Sequence, residues 1–135
     1  MSAAAKSVYI FGFYLYLTGI TLIFIPNIFL STLQLPQTDE VWIRVVGVLA
    51  FCLGYYYHRT GVKNNFVFFP LTVTARLLVF VSFTVFVLLK FISPVLLIFA
   101  IIDLAGALWT WLALKNELIA SPQSNGLINF SLRFF

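Results

Sequence analysis

One carboxylate stands in the middle of an apolar stretch towards the end of the chain. Asp103 lies in the run LLIFAIIDLAGALW, residues 96–109, which has no other charge. An aspartate at the centre of a membrane-crossing helix costs about 2.5 to 3.5 kcal/mol on the insertion scale, whereas each leucine, isoleucine, valine or phenylalanine contributes about −0.3 to −0.6 kcal/mol. The segment can therefore insert in spite of Asp103. An ionisable group at such a position indicates a specific partner or a functional site.

The natural counter-ion for Asp103 is Arg76, the other ionisable residue away from the ends of the apolar segments. If the two segments form a hairpin that turns near Ile92, the two residues differ in depth by about 7 to 8 Å. A water molecule or a tyrosine hydroxyl would then bridge them. Three interpretations stay open: a structural lock between helices, a site for a ligand, quinone or proton, or an Arg76 that reaches the membrane surface independently. If the pair forms, Asp103→Asn and Arg76→Gln each lower the stability of the bundle.

The helical neighbours of Asp103 predict the direction in which it points. Residues three, four and seven positions away lie on its face of the helix, and they are small or weakly polar. A lipid-facing position would have bulky neighbours, so Asp103 is predicted to face the bundle interior. The small neighbours are Ala100, Gly106, Ala107 and Thr110. Further polar candidates for the same interior are Tyr16, Tyr55, Tyr57, His58, Thr72 and Thr110.

Composition and hydropathy predict an integral membrane protein built only from α-helices. The 135 residues are 62% hydrophobic and 9% charged, against about a quarter charged in soluble domains. Four segments reach the length of a membrane span, and their short connections predict an up-down four-helix bundle over residues 1–114. The first span is expected to stay uncleaved, since no small-x-small site follows it. The predicted spans cover residues 8–30, 41–58, 66–89 and 91–114, and residues 115–135 are predicted to form a polar, flexible tail.

Basic residues near the span ends predict the orientation in the membrane. Five of them fall on one side of the four-span topology and two on the other, which places both termini and the tail in the cytoplasm. The five are Lys6, Arg59, Lys63, Lys115 and Arg133, and the two are Arg44 and Lys90.

Small residues predict which helices meet, because close backbone approach drives helix association in lipid. The first span has Gly12 and Gly19 seven residues apart, and the second has Gly47 and Gly54 at the same spacing with Ala50 between them. These two faces are predicted to pack against each other, with self-association of the chain as the alternative. In the fourth span, Gly106 is the small residue beside Asp103 that is predicted to allow close helix packing.

The remaining motifs exclude several classes of chemistry. His58 and Cys52 are the single histidine and cysteine, so the sequence predicts no metal site, and no nucleophile elbow, phosphate loop or CxxC motif is present. The net charge of +4 comes from basic residues spread singly along the chain, which does not fit nucleic acid as a partner. The absence of these motifs disfavours enzymatic activity without deciding the question.

Several stretches together resemble the small DoxX-like four-helix membrane proteins of bacteria. The resemblance lies in TDEVWIRVVG at residues 38–47, GYYY at 54–57, Ala75-Arg76 and IDLAGALW at 102–109. It implies a multi-pass protein of the bacterial inner membrane, and for some members of the family a role in quinone-linked complexes. No cofactor-ligand set accompanies the resemblance here, so no cofactor is predicted, and quinone is kept as an alternative.

Three functions follow as hypotheses. The first is a non-enzymatic accessory subunit or partner-binding module of the inner membrane, with Arg76 and Asp103 holding the bundle core. The second is a quinone-linked, small-molecule or proton-handling membrane protein in which Asp103 does the chemistry. The third is an oligomeric channel or transporter in which the same charges line a wet path. The lipid bilayer is a partner in all three, with a second membrane protein or further copies of the chain beside it.

Overall fold

The computed structural model describes residues 1–120, which are helical with short connections. They contain no β-strand, and the predicted all-α class is confirmed. Residues 121–135, most of the predicted tail, lie outside the described part of the chain. The elements are α1 (Ala3–Phe24), α2 (Pro26–Thr32), α3 (Trp42–Val62), α4 (Phe68–Leu88), a 3₁₀ turn (Pro94–Leu96) and α5 (Leu97–Ala120).

Three helical segments are long and apolar enough to cross a membrane. They are α1, α4, and the 3₁₀ turn together with α5. Four spans were predicted, and the predicted second span, 41–58, corresponds to α3, which is not among the three. With 21 residues α3 has the length, but its second half includes three tyrosines followed by His58 and Arg59, which lower its mean hydropathy.

The predicted first span, 8–30, is interrupted by Pro26. The residue before a proline is disfavoured in the α-helical region, and Ile25 adopts φ −132° and ψ 50°. Helix α1 therefore ends at Phe24, and Pro26 begins α2 at a position where no N–H is needed. At its other end α1 begins at Ala3, five residues before the predicted start, because the Ser2 hydroxyl accepts a hydrogen bond from the Ala5 N–H at 3.1 Å.

The boundary between α4 and α5 also differs from the prediction. Lys90, at φ 59°, ends α4 in a left-handed conformation, and the Phe91 N–H reaches back to the Phe86 carbonyl at 2.8 Å, as in a Schellman motif. The 3₁₀ turn then follows, so α5 begins six residues after the predicted start at 91. It also runs six residues further, to Ala120, and residues 115–120 are helix where a flexible tail was predicted.

The described chain divides into two compact units. Of the described residues, the first contains 1–8 and 60–120, and thus joins the start of α1 to α4 and α5. Apart from Phe69, its buried apolar residues have small or mid-sized side chains, which allow the helices to approach closely. The buried residues include Ala4, Ala5, Val8, Phe69, Val73, Ala100, Ala107 and Leu114.

The second unit, Tyr9–Arg59, contains the rest of α1 with α2 and most of α3. In it the structure brings the two glycine pairs face to face. A Cβ atom built on Gly19 would lie 2.8 Å from the Gly47 carbonyl oxygen, and one on Gly12 would lie 3.1 Å from that of Gly54. Because Gly12 faces Gly54 and Gly19 faces Gly47, α1 and α3 run antiparallel with their backbones in contact. Arg44 donates to the Ile23 carbonyl near the end of α1, where a cation is favourable.

Candidate functional site

A buried group of three polar side chains joins three segments of the first unit. This Thr110 cluster consists of Ser7 at the start of α1, Arg76 on α4 and Thr110 on α5. Thr110 is fully buried and Arg76 is 1% exposed. The Arg76 Nη1 atom donates to Thr110 Oγ1 at 3.1 Å, and Ser7 Oγ lies 2.9 Å from the same oxygen. The cluster therefore ties α4 and the first turns of α1 to one hydroxyl on α5.

The hydroxyl hydrogens of the Thr110 cluster have two self-consistent arrangements. The Ser7 and Thr110 hydroxyls can donate to each other. Alternatively, Ser7 can donate to the Ala4 carbonyl at 2.7 Å and Thr110 to the Gly106 carbonyl at 3.0 Å. Each hydroxyl has one hydrogen, so one points to the other hydroxyl and the second goes to a carbonyl. When Thr110 donates to Gly106, its oxygen accepts from both Ser7 and Arg76. All of its hydrogen-bonding capacity is then used, as expected of a buried hydroxyl.

Arg76 and Asp103 do not pair directly. Arg76 reaches Thr110 instead, and Asp103 precedes Thr110 by seven residues, or about 10 Å along the helix. The offset is larger than predicted because the turn lies later in the chain. The Arg76 charge still attracts the Asp103 carboxyl through space. Within residues 1–120 that carboxyl has no hydrogen bond or ion pair, and it is half-buried on the face that also contains buried Ala100 and Ala107.

Polar residues recur every seven positions along α5, at Asp103, Thr110 and Glu117. They lie on one face and span about 20 Å of the helix axis. At the far end of this line, the Glu117 Oε1 atom accepts the Ala4 backbone N–H at 3.1 Å. A carboxylate at the first turn of α1 satisfies an N–H that the helix leaves open and complements the helix dipole. Glu117 was predicted to lie in the flexible tail, and instead it fixes the start of α1.

Substituting Glu117 with alanine is expected to loosen the first turn of α1 by about 0.5 to 2 kcal/mol, since the Ala4 N–H loses its acceptor. Hydrogen–deuterium exchange of residues 1–8 measures the effect, against α4 as the internal reference. Glu117→Gln is the matched control, because it keeps an oxygen acceptor and removes only the charge. Equal protection of residues 1–8 in wild type and Glu117→Ala would show that this cap contributes nothing.

In the second unit His58 lies among aromatic rings. The centroid of its ring is 4.9 Å from that of Tyr9, 5.5 Å from that of Phe13 and 6.0 Å from that of Tyr16. Its Nδ1 atom is buried without a hydrogen-bond partner in the described part of the chain. Edge-on and tilted contacts with these rings surround the imidazole.

The other predicted polar and small residues take separate positions. Tyr57 is buried with its ring 5.8 Å from that of Phe11, whereas Tyr55 is 53% exposed. The buried Thr72 hydroxyl donates to the Phe69 carbonyl of its own helix at 2.8 Å. Ala50 and Gly106 are half-buried. Thr110, another of the predicted polar candidates, bonds to Arg76.

Two residues of this site were missing from the prediction, Ser7 and Glu117. The small residues before Ser7, Ser2-Ala3-Ala4-Ala5, are a signal for close helix approach that could have placed Ser7 in an interface. Glu117 had no such signal, because it follows the apolar run and resembles a tail residue. Within residues 1–120, no three His, Cys, Asp or Glu side chains come together in a way that could hold a metal ion.

Comparison with known proteins gave no match to a family model, a curated protein or a solved structure.

Proposed function

We propose that the chain is a non-enzymatic, multi-pass protein of the bacterial inner membrane that acts as an accessory subunit or partner-binding module. The observation that carries this proposal is that one of the two charged groups within its apolar helices has a partner in the chain and the other does not. Arg76 is buried and bonded to Thr110 within the chain. Asp103, on an apolar helix, makes no hydrogen bond or ion pair within residues 1–120. An unsatisfied carboxyl in a membrane span is a functional feature by default.

The proposed topology is an up-down four-helix bundle in which α1, α3, α4 and α5 all cross. Three of these helices are apolar enough on their own. The argument for α3 is its pairing with α1: the glycine contacts at 12 with 54 and 19 with 47 extend along about 10 Å of both helices. Its 21 residues span about 31 Å, which matches the hydrocarbon thickness. The resemblance to the DoxX-like proteins supports the four-helix arrangement. The distribution of basic residues places both termini of this topology in the cytoplasm.

A second candidate is a quinone-linked or proton-handling protein. The line of Asp103, Thr110 and Glu117 along α5 favours it, because it places two carboxyl groups on either side of the Thr110 cluster. Arg76 at the centre of this line would repel a migrating proton or cation. For that reason we rank this function below partner binding.

Purification from native membranes distinguishes the candidates. The affinity-tagged full chain is extracted in a mild detergent, and the eluted proteins and lipids are identified by mass spectrometry. We expect a stoichiometric second membrane protein. A retained quinone without a protein partner would overturn the proposal in favour of the second candidate, and oligomers of this chain alone would overturn it in favour of a channel or transporter.

A further inference from the structure

We infer that Asp103 is the docking point for a basic side chain on a transmembrane helix of a different membrane protein. The inference rests on the proposed function and names the chemistry of the partner. It starts from a carboxyl that the described chain leaves without a hydrogen bond or ion pair, on a helix that is otherwise apolar. A lysine, arginine or histidine at matching depth would supply the missing charge and hydrogen bonds.

The cation of the same chain does not fill this role. The Arg76 guanidinium is bonded to Thr110, about two helical turns from Asp103. This hydrogen bond is buried, and Ser7 contacts the same Thr110 oxygen. Moving Arg76 towards Asp103 would break it and leave the Thr110 cluster without its contact to α4. Asp103 is therefore attracted to the arginine only through space and keeps its hydrogen-bonding capacity for another group.

The surface beside Asp103 admits another helix. Gly106, three residues after Asp103 and on the same side of α5, is half-buried, and its lack of a side chain lets a second backbone approach the carboxyl. On either side along the helix, Ile102 and Trp109 are 36% and 48% exposed. They offer apolar contacts around the charge, the arrangement in which a desolvated ion pair strengthens an interface.

A second copy of this chain is a poor occupant. The exposed basic residues of the described helices lie within six residues of a helix end, away from the depth of Asp103, and Arg76 is buried in its own unit. The exposed ones are Lys6, Arg44, Arg59 and Lys115. A copy would thus bring another carboxylate and no accessible cation to this surface. Charge complementarity favours a different protein.

The test compares copurification of the tagged wild-type chain with that of Asp103→Asn and Asp103→Glu from the same membranes. We expect the partner to be at least about tenfold depleted with Asp103→Asn, since one member of a buried charge pair is lost, and to be kept with Asp103→Glu. Ile101→Ala, an exposed position away from the pair, is the matched control and should retain the partner. The partner should contain a basic residue in a transmembrane helix, and its replacement by aspartate should restore binding to Asp103→Lys.

A stability measurement separates docking from folding. Purified Asp103→Asn should unfold in detergent like the wild type, since the carboxyl makes no contact within the described chain that folding requires. If a partner copurifies equally well with wild type and Asp103→Asn, the role of Asp103 is overturned while the partner-binding function stands. If no partner copurifies with the wild type, the proposed function itself fails.

Discussion

Replacing Gly19 with leucine is expected to destabilise the pair formed by α1 and α3 by about 3 kcal/mol or more, because overpacked helices must separate. A Cβ atom at this position would lie 2.7 Å from the Phe51 backbone nitrogen and 2.8 Å from the Gly47 carbonyl oxygen. Both obstacles are backbone atoms that no side-chain rotation removes. Equilibrium unfolding in mixed micelles with increasing SDS, followed by circular dichroism, measures the loss.

Alanine substitutions at the four glycines provide the graded control. The closest atom to an added Cβ is 2.7 Å away at Gly19, 2.9 Å at Gly47 and 3.0 Å at Gly12 and Gly54. The loss of stability should follow that order, with Gly19→Ala the most damaging at about 1 to 3 kcal/mol. Leu17→Ala, at a position that is 68% exposed, should change little. If Gly19→Leu unfolds at the same SDS fraction as Leu17→Ala, the close contact of these helices is refuted.

The second large effect is expected for Thr110→Val. Valine has nearly the same shape as threonine but removes the oxygen shared by Arg76 and Ser7. A hydrogen bond to a charged group contributes about 1.5 to 3 kcal/mol, and a buried group left without its partner costs a similar amount. We therefore expect a loss of about 3 kcal/mol, measured by the same unfolding assay.

Two companion variants separate hydrogen bonding from packing at this position. Thr110→Ser keeps the hydroxyl and removes one methyl group, so it should cost only about 1 kcal/mol. Adding Arg76→Met to Thr110→Val removes the buried charge together with its acceptor, which is close to neutral in other proteins, and should recover much of the loss. A Thr110→Val variant as stable as Thr110→Ser would mean that the Thr110 cluster does not contribute to stability.

Much of the helical arrangement was predictable because hydrophobic runs and glycine spacing are local signals. The segment that became α4 differs from its prediction by only two residues at its start and one at its end. The α1–α3 contact could be expected from two glycine pairs at equal spacing. Where the helices actually begin and end depends on single side chains, such as Pro26 or Lys90, which hydropathy averages over.

The contacts of the candidate site were less accessible to sequence reasoning. The charges at Arg76 and Asp103 are conspicuous in the sequence, but which group each one contacts depends on the register of the α4–α5 hairpin. A turn centred one residue later, near Ser93 instead of Ile92, places Thr110 opposite Arg76 and leaves Asp103 without a direct partner within residues 1–120. Glu117 acts on α1 across 113 positions of sequence, and no local pattern carries that information.

Two double-mutant cycles on the purified chain test most directly whether Arg76 has its partner within the chain while Asp103 has none there. One cycle combines Arg76→Met with Thr110→Val, and the other combines Arg76→Met with Asp103→Asn. We expect a coupling of about 1.5 to 3 kcal/mol between Arg76 and Thr110, and at most about 0.5 kcal/mol between Arg76 and Asp103. A stronger coupling of Arg76 to Asp103 than to Thr110 would contradict this division and make the carboxyl an internal partner.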